Sequence, residues 1–345
     1  MARNRLLFST PVLVAGLVLA LVAGLVVGKA TSSTGPSADA GPGKGGGQRV
    51  DVIVKATDSA FWQSMFAGAQ KAGEDLGVEV GRFGPTSETD VNEQVQLVEN
   101  SISRGVNAIV IAANSETALN EAIDRAREEG IKVITVDGTV TTETEAFIGT
   151  NNLRAGEQAG QRLCKLITDQ GKSSGQVLLE NAVAGVQALG DRARGFRDGL
   201  AADCPQITVW EERFNNNDIN TAANQANDAI GAVPDLVGIF AANNKSGNGV
   251  ARAVKDTGRA ADLPVVAFDS DPQENAALAD GSIDALVVQN PYFFGYQGVS
   301  EALAALTGAK LARSLDPGAV LADQANMNAP EVNDLLNPPT AQASE

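Results

Sequence analysis

Two stretches decide the fold: Arg104-Gly105-Val106-Asn107-Ala108-Ile109-Val110-Ile111 and Glu129-Gly130-Ile131-Lys132-Val133-Ile134-Thr135-Val136-Asp137. Each opens where a helical stretch stops at a glycine, the residue that takes the left-handed backbone closing a helix at no steric cost. Each then runs into β-branched residues with almost no polar alternation, the signature of a strand buried on both faces. Leu76-Gly77-Val78 repeats the junction upstream. Working outward, candidate strands fall at Val50–Lys55, Val78–Phe83, Ala108–Ala112, Lys132–Val136, Phe147–Gly149, Gln176–Leu179, Thr208–Trp210, Val237–Phe240, Pro264–Phe268 and Ala285–Val288. Amphipathic helical stretches such as Phe61–Leu76, Val91–Ser103 and Glu116–Glu129 lie between them. Apolar strands alternating with helices build parallel sheets covered on both faces. Ten such units exceed one comfortable sheet, so the expectation is α/β with two similar doubly wound parallel sheets, the break falling near Thr150-Asn151-Asn152.

The composition narrows the function. A formal charge of −16 over 345 residues argues against a nucleic-acid partner, which needs clustered Lys and Arg. The chain has no histidine, which removes Ser-His-Asp and Cys-His catalysis and the common His-containing zinc sites. Two cysteines, Cys164 and Cys204, are the right number for one disulfide, with two buried thiols as the competing reading. Residues 1–30 read as an export segment: Arg3 and Arg5, an apolar run from Pro11 to Val27, then Gly28-Lys29-Ala30. An uncleaved anchor is the alternative, because Leu6 to Val27 nearly spans a bilayer. Either way the body is expected outside the cytoplasm, in a periplasm-like space or on the outer membrane face. Residues 31–48, rich in Gly, Ser and Pro, read as a flexible tether.

The polar residues at the strand ends form a set. Lys55 closes the first strand, Asp137 follows Val136, Asn243 follows Phe240-Ala241-Ala242, Asp269 follows Phe268, and Gln289 follows Val288. In open parallel sheets ligands bind beyond the carboxyl ends of the strands. One such residue is ordinarily a turn or a helix cap, but five at one edge point to a site.

These residues resemble a known family. Val52-Ile53-Val54-Lys55-Ala56-Thr57-Asp58-Ser59-Ala60-Phe61-Trp62 resembles the opening of the ribose- and allose-binding periplasmic proteins. The resemblance runs on through Val133-Ile134-Thr135-Val136-Asp137, Ile148-Gly149-Thr150-Asn151-Asn152, Phe240-Ala241-Ala242-Asn243-Asn244, Val266-Ala267-Phe268-Asp269 and Val288-Gln289-Asn290-Pro291. It implies two lobes joined by a three-strand hinge, with ligand in the cleft. The first lobe would hold residues 49–150 and 291–316, the second 151–290 and 317–328, and 329–345 would be a C-terminal tail. Carried over residue by residue, it implies ligand contacts from Lys55, Phe61, Trp62 and Asp137 on the first lobe, from Arg192, Asn217, Asn243 and Asp269 on the second, and from Gln289 at the hinge. The chemistry suits a sugar. Ionised Asp137 and Asp269 make strong acceptors for hydroxyls, and Arg192 presents a planar fork of donors. Asn243 and Gln289 both donate and accept, and the two rings can stack on a pyranose face. Core packing for Phe61 and Trp62, helix capping for Asp269, and an exposed pair with Asp191 for Arg192 are the competing readings.

The chain also departs from the family. Where ribose binders place an arginine after the first aspartate, Gly138 stands here; Lys55 replaces their serine, as in allose binders; and Asn217 falls where they carry an aromatic. A larger or differently oriented sugar or polyol is therefore expected rather than ribose. The acidity favours a monomer, and the resemblance implies delivery of the ligand to the membrane permease of an ATP-driven importer, with an extracytoplasmic sensor as the alternative, or a non-sugar polar metabolite as ligand. A sugar-responsive repressor would need a basic helix-turn-helix before residue 50, where an apolar run and a glycine tether stand instead. For an enzyme, no G-x-G-x-x-G follows the first strand, and Ser246 reads as the cap of the following helix. No catalytic residue, metal site or cofactor is expected.

Overall fold

The computed structural model describes residues 47–341; the export segment of residues 1–30 and nearly all of the tether lie outside the described residues. The first sheet uses β1 (Arg49–Ile53), β2 (Glu79–Phe83), β3 (Ala108–Ile111), β4 (Lys132–Val136) and β5 (Ala146–Ile148). Around it run α1 (Ala60–Leu76), α2 (Val91–Arg104) and α3 (Asn120–Glu128). The second sheet uses β6 (Gly175–Asn181), β7 (Ile207–Phe214), β8 (Leu236–Ala241), β9 (Val265–Phe268) and β10 (Ala285–Val288). Its helices are α4 (Asn152–Asp169), α5 (Gln187–Asp203), α6 (Ile219–Ala232), α7 (Asn244–Asp256) and α8 (Pro272–Asp280). The chain closes with α9 (Pro291–Leu306), β11 (Ser314–Leu315), β12 (Val320–Ala322) and α10 (Pro330–Leu336).

The sheets share one pattern: β11-β5-β4-β3-β1-β2 in the first and β12-β10-β9-β8-β6-β7 in the second. All pairs are parallel except β10 with β12, a return strand that lies antiparallel at its edge. The central strands are buried along their whole length, as their unbroken apolar runs require. The sequence reading stops β6 and β7 short. Both continue to Asn181 and Phe214, and β7, an edge strand with charged residues in its second half, carries no continuous apolar run.

After Ile148 the chain leaves the first sheet, and α4 packs in the second core. After Val288 it returns as α9, whose Phe294, Val299 and Ala302 bury against Val110, Ile134 and Val136. Between β11 and β12 it crosses once more. The stretch expected as a C-terminal tail is instead structured: α10 buries Val332 and Leu336 in the second core, because those two residues recur one helical turn apart. Beyond α10 the chain reaches back to the first lobe, where the Ala341 N–H donates to the Gln63 carbonyl at 3.0 Å.

One close approach positions the site. Helices α4 and α5 touch at glycines: a methyl on Gly156 would lie 2.3 Å from the Arg192 carbonyl, and one on Gly195 would lie 2.0 Å from the Leu153 carbonyl. This contact brings Cys164 and Cys204 together in a disulfide, with Cα atoms 5.8 Å apart. The same contact holds the backbone of Arg192 against α4.

Candidate functional site

The two aspartates identify themselves by backbone conformation. Asp137, just past β4, has φ 58°, and Asp269, just past β9, has φ 78°. Aspartate tolerates this left-handed region better than most residues, yet such strain concentrates at functional sites. The two turns are equivalent. The Asp137 N–H donates to the Ile148 carbonyl on β5, and the Asp269 N–H donates to the Val287 carbonyl on β10, both at 2.9 Å. Matching strands of two similar sheets thus aim one carboxylate each into the cleft.

On the first lobe the Lys55 ammonium sits 2.6 Å from Asp137, with both side chains about 5% exposed. Lys55 also fills the space beside Gly138: a methyl there would lie 3.5 Å from its Nζ. Lys55 and Gly138, two of the chain's departures from the family pattern, are thus neighbours in space. Phe61 and Trp62 open α1 edge to face, with centroids 4.7 Å apart. The Trp62 Nε1–H donates to the Glu88 carboxylate at 2.9 Å, which fixes the indole plane. Glu88, half-buried in the loop after β2, is held above the usual carboxylate range by loss of water, with Lys55 and the indole N–H opposing.

On the second lobe Arg192 is buried. Its Nε donates to Asn152 Oδ1 and its Nη1 to the Ala242 carbonyl, both at 2.8 Å, and the guanidinium lies 4.2 Å above the Phe268 ring. Asp269 is 3.8 Å away, so the exposed pairing with Asp191 does not form; Asp191 pairs with Arg194 instead. Burial raises the Asp269 pKa, against the pull of Arg192 and of Gln289, whose Nε2 donates to Oδ1 at 2.6 Å. The cap of α8 is Asp271 and not Asp269. Asn243 caps α7 by accepting from the Ser246 N–H at 3.0 Å. The expectation that Ser246 caps this helix is therefore corrected: Ser246 lies inside the first turn, its hydroxyl 2.8 Å from Asn215 Nδ2.

Between the lobes lies a small cavity of about 30 Å³ lined from both sides, including Lys55, Trp62, Glu88, Asp137, Arg192 and Asp269. The lobes meet at its rim, where Lys245 and Asp58 pair at 2.5 Å and Thr139 Oγ1 donates to Gln187 Oε1 at 3.4 Å. Seven of the nine expected residues line it: Lys55, Phe61, Trp62, Asp137, Arg192, Asn243 and Asp269. The other two stand behind. Asn217 accepts from Asn243 Nδ2 at 2.8 Å, and Gln289 orients Asp269. Sequence reasoning missed Ser59, Glu88, Ala188, Leu189 and Asn244. Glu88 was reachable, since the loop after β2 opens at the same sheet edge as the residues that were found.

A two-lobed α/β protein with convergent polar side chains in the cleft is the architecture of a binding protein, and the chain belongs to the periplasmic binding protein family, whose domain model matches residues 50–310. It is 27% identical to the ribose import binding protein of Escherichia coli (strain K12) over 263 residues, 76% of this chain and 86% of that one. It is also 27% identical to the D-allose-binding periplasmic protein of the same organism over 256 residues, 72% of this chain and 81% of that one. Among solved structures it matches a carbohydrate transporter solute binding protein from Agrobacterium radiobacter in complex with D-arabinose. That match has a TM-score of 0.83 and 34% identity, covering 85% of this chain and 100% of that one. A transporter solute binding protein from Agrobacterium vitis bound with α-D-tagatopyranose matches with a TM-score of 0.80 and 31% identity, over 85% and 100% of the two chains.

Proposed function

We propose that this chain is an extracytoplasmic solute-binding protein that captures a small sugar or polyol by closure of its two lobes and delivers it to an ATP-driven membrane importer. The observation that carries the reading is the pair of left-handed aspartates, one from each lobe, facing a common cavity with a cation beside each. Each aspartate accepts from ligand hydroxyls while Lys55 and Arg192 donate, so full hydrogen bonding requires both lobes at once. A ligand that binds the closed form better than the open form shifts the population toward closure. The rings of Phe61 and Trp62 provide an apolar wall for the C–H face of a pyranose. Lys55 beside Gly138 gives the first lobe a different donor arrangement from the one the resemblance assigns to ribose binders, which favours a hexose-like ligand.

The lobes comprise residues 49–150 with 291–316 and residues 151–290 with 317–328, the second extended by α10. The sugar-bound relatives and the family's periplasmic membership support export, and no helix among the described residues is long and apolar enough to cross a membrane. The role is binding, without catalysis. The test is thermal melting against pentoses, hexoses, polyols and unrelated metabolites, since a ligand of the native state raises the midpoint. A clear shift from one sugar supports the reading; no shift from any sugar, with a folded sample, refutes it.

A further inference from the structure

The cavity holds three carboxylates, Glu88, Asp137 and Asp269, against two cations, and both cations are taken. Lys55 is 2.6 Å from Asp137. Arg192 is engaged by Asn152, the Ala242 carbonyl and Asp269. Lys245, at the rim, is held by Asp58. Glu88 forms no ion pair among the described residues. One of its oxygens accepts from the Trp62 indole, and the other takes no donor from the described residues. Its loop leads into α2, whose cap at Asp90 accepts from the Glu93 N–H and anchors the chain two residues further on.

On the sugar-binding reading above, we propose that Glu88 is a specificity-determining residue: its free oxygen takes a ligand hydroxyl from the first-lobe side, and its charge confines the cleft to uncharged sugars. A sugar carrying a carboxylate or phosphate would bring a further acidic group into a cleft whose cations are already engaged, and like charges in a desolvated site repel strongly. A neutral polyhydroxyl ligand meets the opposite situation, an open carboxylate oxygen in a site short of water, where a hydrogen bond to it is strengthened by the low dielectric. Because Glu88 and Trp62 belong to one lobe, their contact does not depend on closure. The same carboxylate therefore fixes the stacking ring and reads a hydroxyl.

The test is titration calorimetry of wild type, Glu88→Gln and Glu88→Ala with the neutral sugar identified by melting and with its uronic acid. Glu88→Gln keeps an acceptor for the indole but loses the charge. It should bind the neutral sugar about tenfold to a hundredfold more weakly, the range expected for loss of a charge-assisted hydrogen bond. It should also narrow the wild-type preference for the neutral sugar over the acid. Wild-type affinity and an unchanged preference in Glu88→Gln would overturn the proposal, as would a wild-type protein that favours the uronic acid. If wild type binds no sugar at all, the sugar reading fails separately. The placement of Glu88 is then judged by Trp62 emission in a Trp210→Phe background, titrated without ligand. The groups facing Glu88 are Lys55, Asp137 and Lys245. A transition above the ordinary carboxylate range that disappears in Glu88→Gln supports the assignment; no difference between the two titrations overturns it.

Discussion

Replacing Glu180 with Gln should make the protein's stability much less sensitive to pH. Glu180 lies near the end of β6 and is fully buried. Asn215 Nδ2 donates to its Oε1 at 2.9 Å, while its Oε2 and the Asn215 Oδ1 have no partner among the described residues. Burial pushes its pKa from 4.5 up to about 8, outweighing the Asn215 hydrogen bond and the nearby Arg213. The unfolded chain releases this proton near 4.5 and the folded protein keeps it to about 8, so the contribution of Glu180 to stability is fully present below 4.5 and is lost as pH rises between those values. Each pH unit is worth about 1.4 kcal/mol, which makes the loss by pH 7 about 3 kcal/mol, an order-of-magnitude figure. A glutamine stays neutral throughout and escapes that loss. Denaturant unfolding at pH 5, 7 and 8 should show wild type losing several kcal/mol across the series and Glu180→Gln losing markedly less. The slope that remains belongs to the other acids with raised pKa values, Glu274, Asp269, Asp284 and Glu88. Parallel pH dependences for the two proteins would refute the reasoning, because Glu180 would then be ionised in the folded state.

Breaking the disulfide by Cys164→Ser with Cys204→Ser opens a loop of 40 residues, for which the chain-entropy relation gives a loss of about 4 kcal/mol, checked by denaturant unfolding. The rim pair of Lys245 and Asp58, with side chains 16% and 44% exposed, has the setting of surface ion pairs. Such pairs contribute about 0–1 kcal/mol, so Lys245→Ala should weaken ligand binding by no more than about fivefold, an effect that calorimetry should find abolished near ~1 M salt. Ending the chain at Asn337 leaves α10 in place but removes the contact from Ala341 to Gln63. The open form should gain population, and ligand should bind severalfold more weakly with the melting midpoint of the ligand-free protein nearly unchanged.

Much of this fold was readable because its strands are buried on both faces. Runs such as Ala108–Ile111 and Lys132–Val136 carry a signal that only a covered parallel sheet produces. Strand β7 was read short, since an edge strand with Glu211, Glu212 and Arg213 in it shows no apolar run. Helix α10 went unread for a similar reason: Val332 and Leu336 are too few apolar residues to stand out from a polar tail. At the site, the strand-end rule located Asp137 and Asp269, but it cannot separate a ligand contact from a residue one layer behind. Asn217 and Gln289 stand at the same sheet edge as Asn243 and Asp269, and only packing shows that they hold those residues. Glu88 was missed because its loop offers several polar residues in a row, Thr86 to Asp90, and only the Trp62 indole on the same lobe shows which of them turns inward.

The central claim is that a small sugar closes this protein, and small-angle X-ray scattering with and without the sugar found by melting tests it most directly. The account predicts that saturating sugar shrinks the radius of gyration and brings the profile onto that of the closed structure. A sugar that binds measurably by calorimetry and leaves the scattering profile unchanged would contradict it.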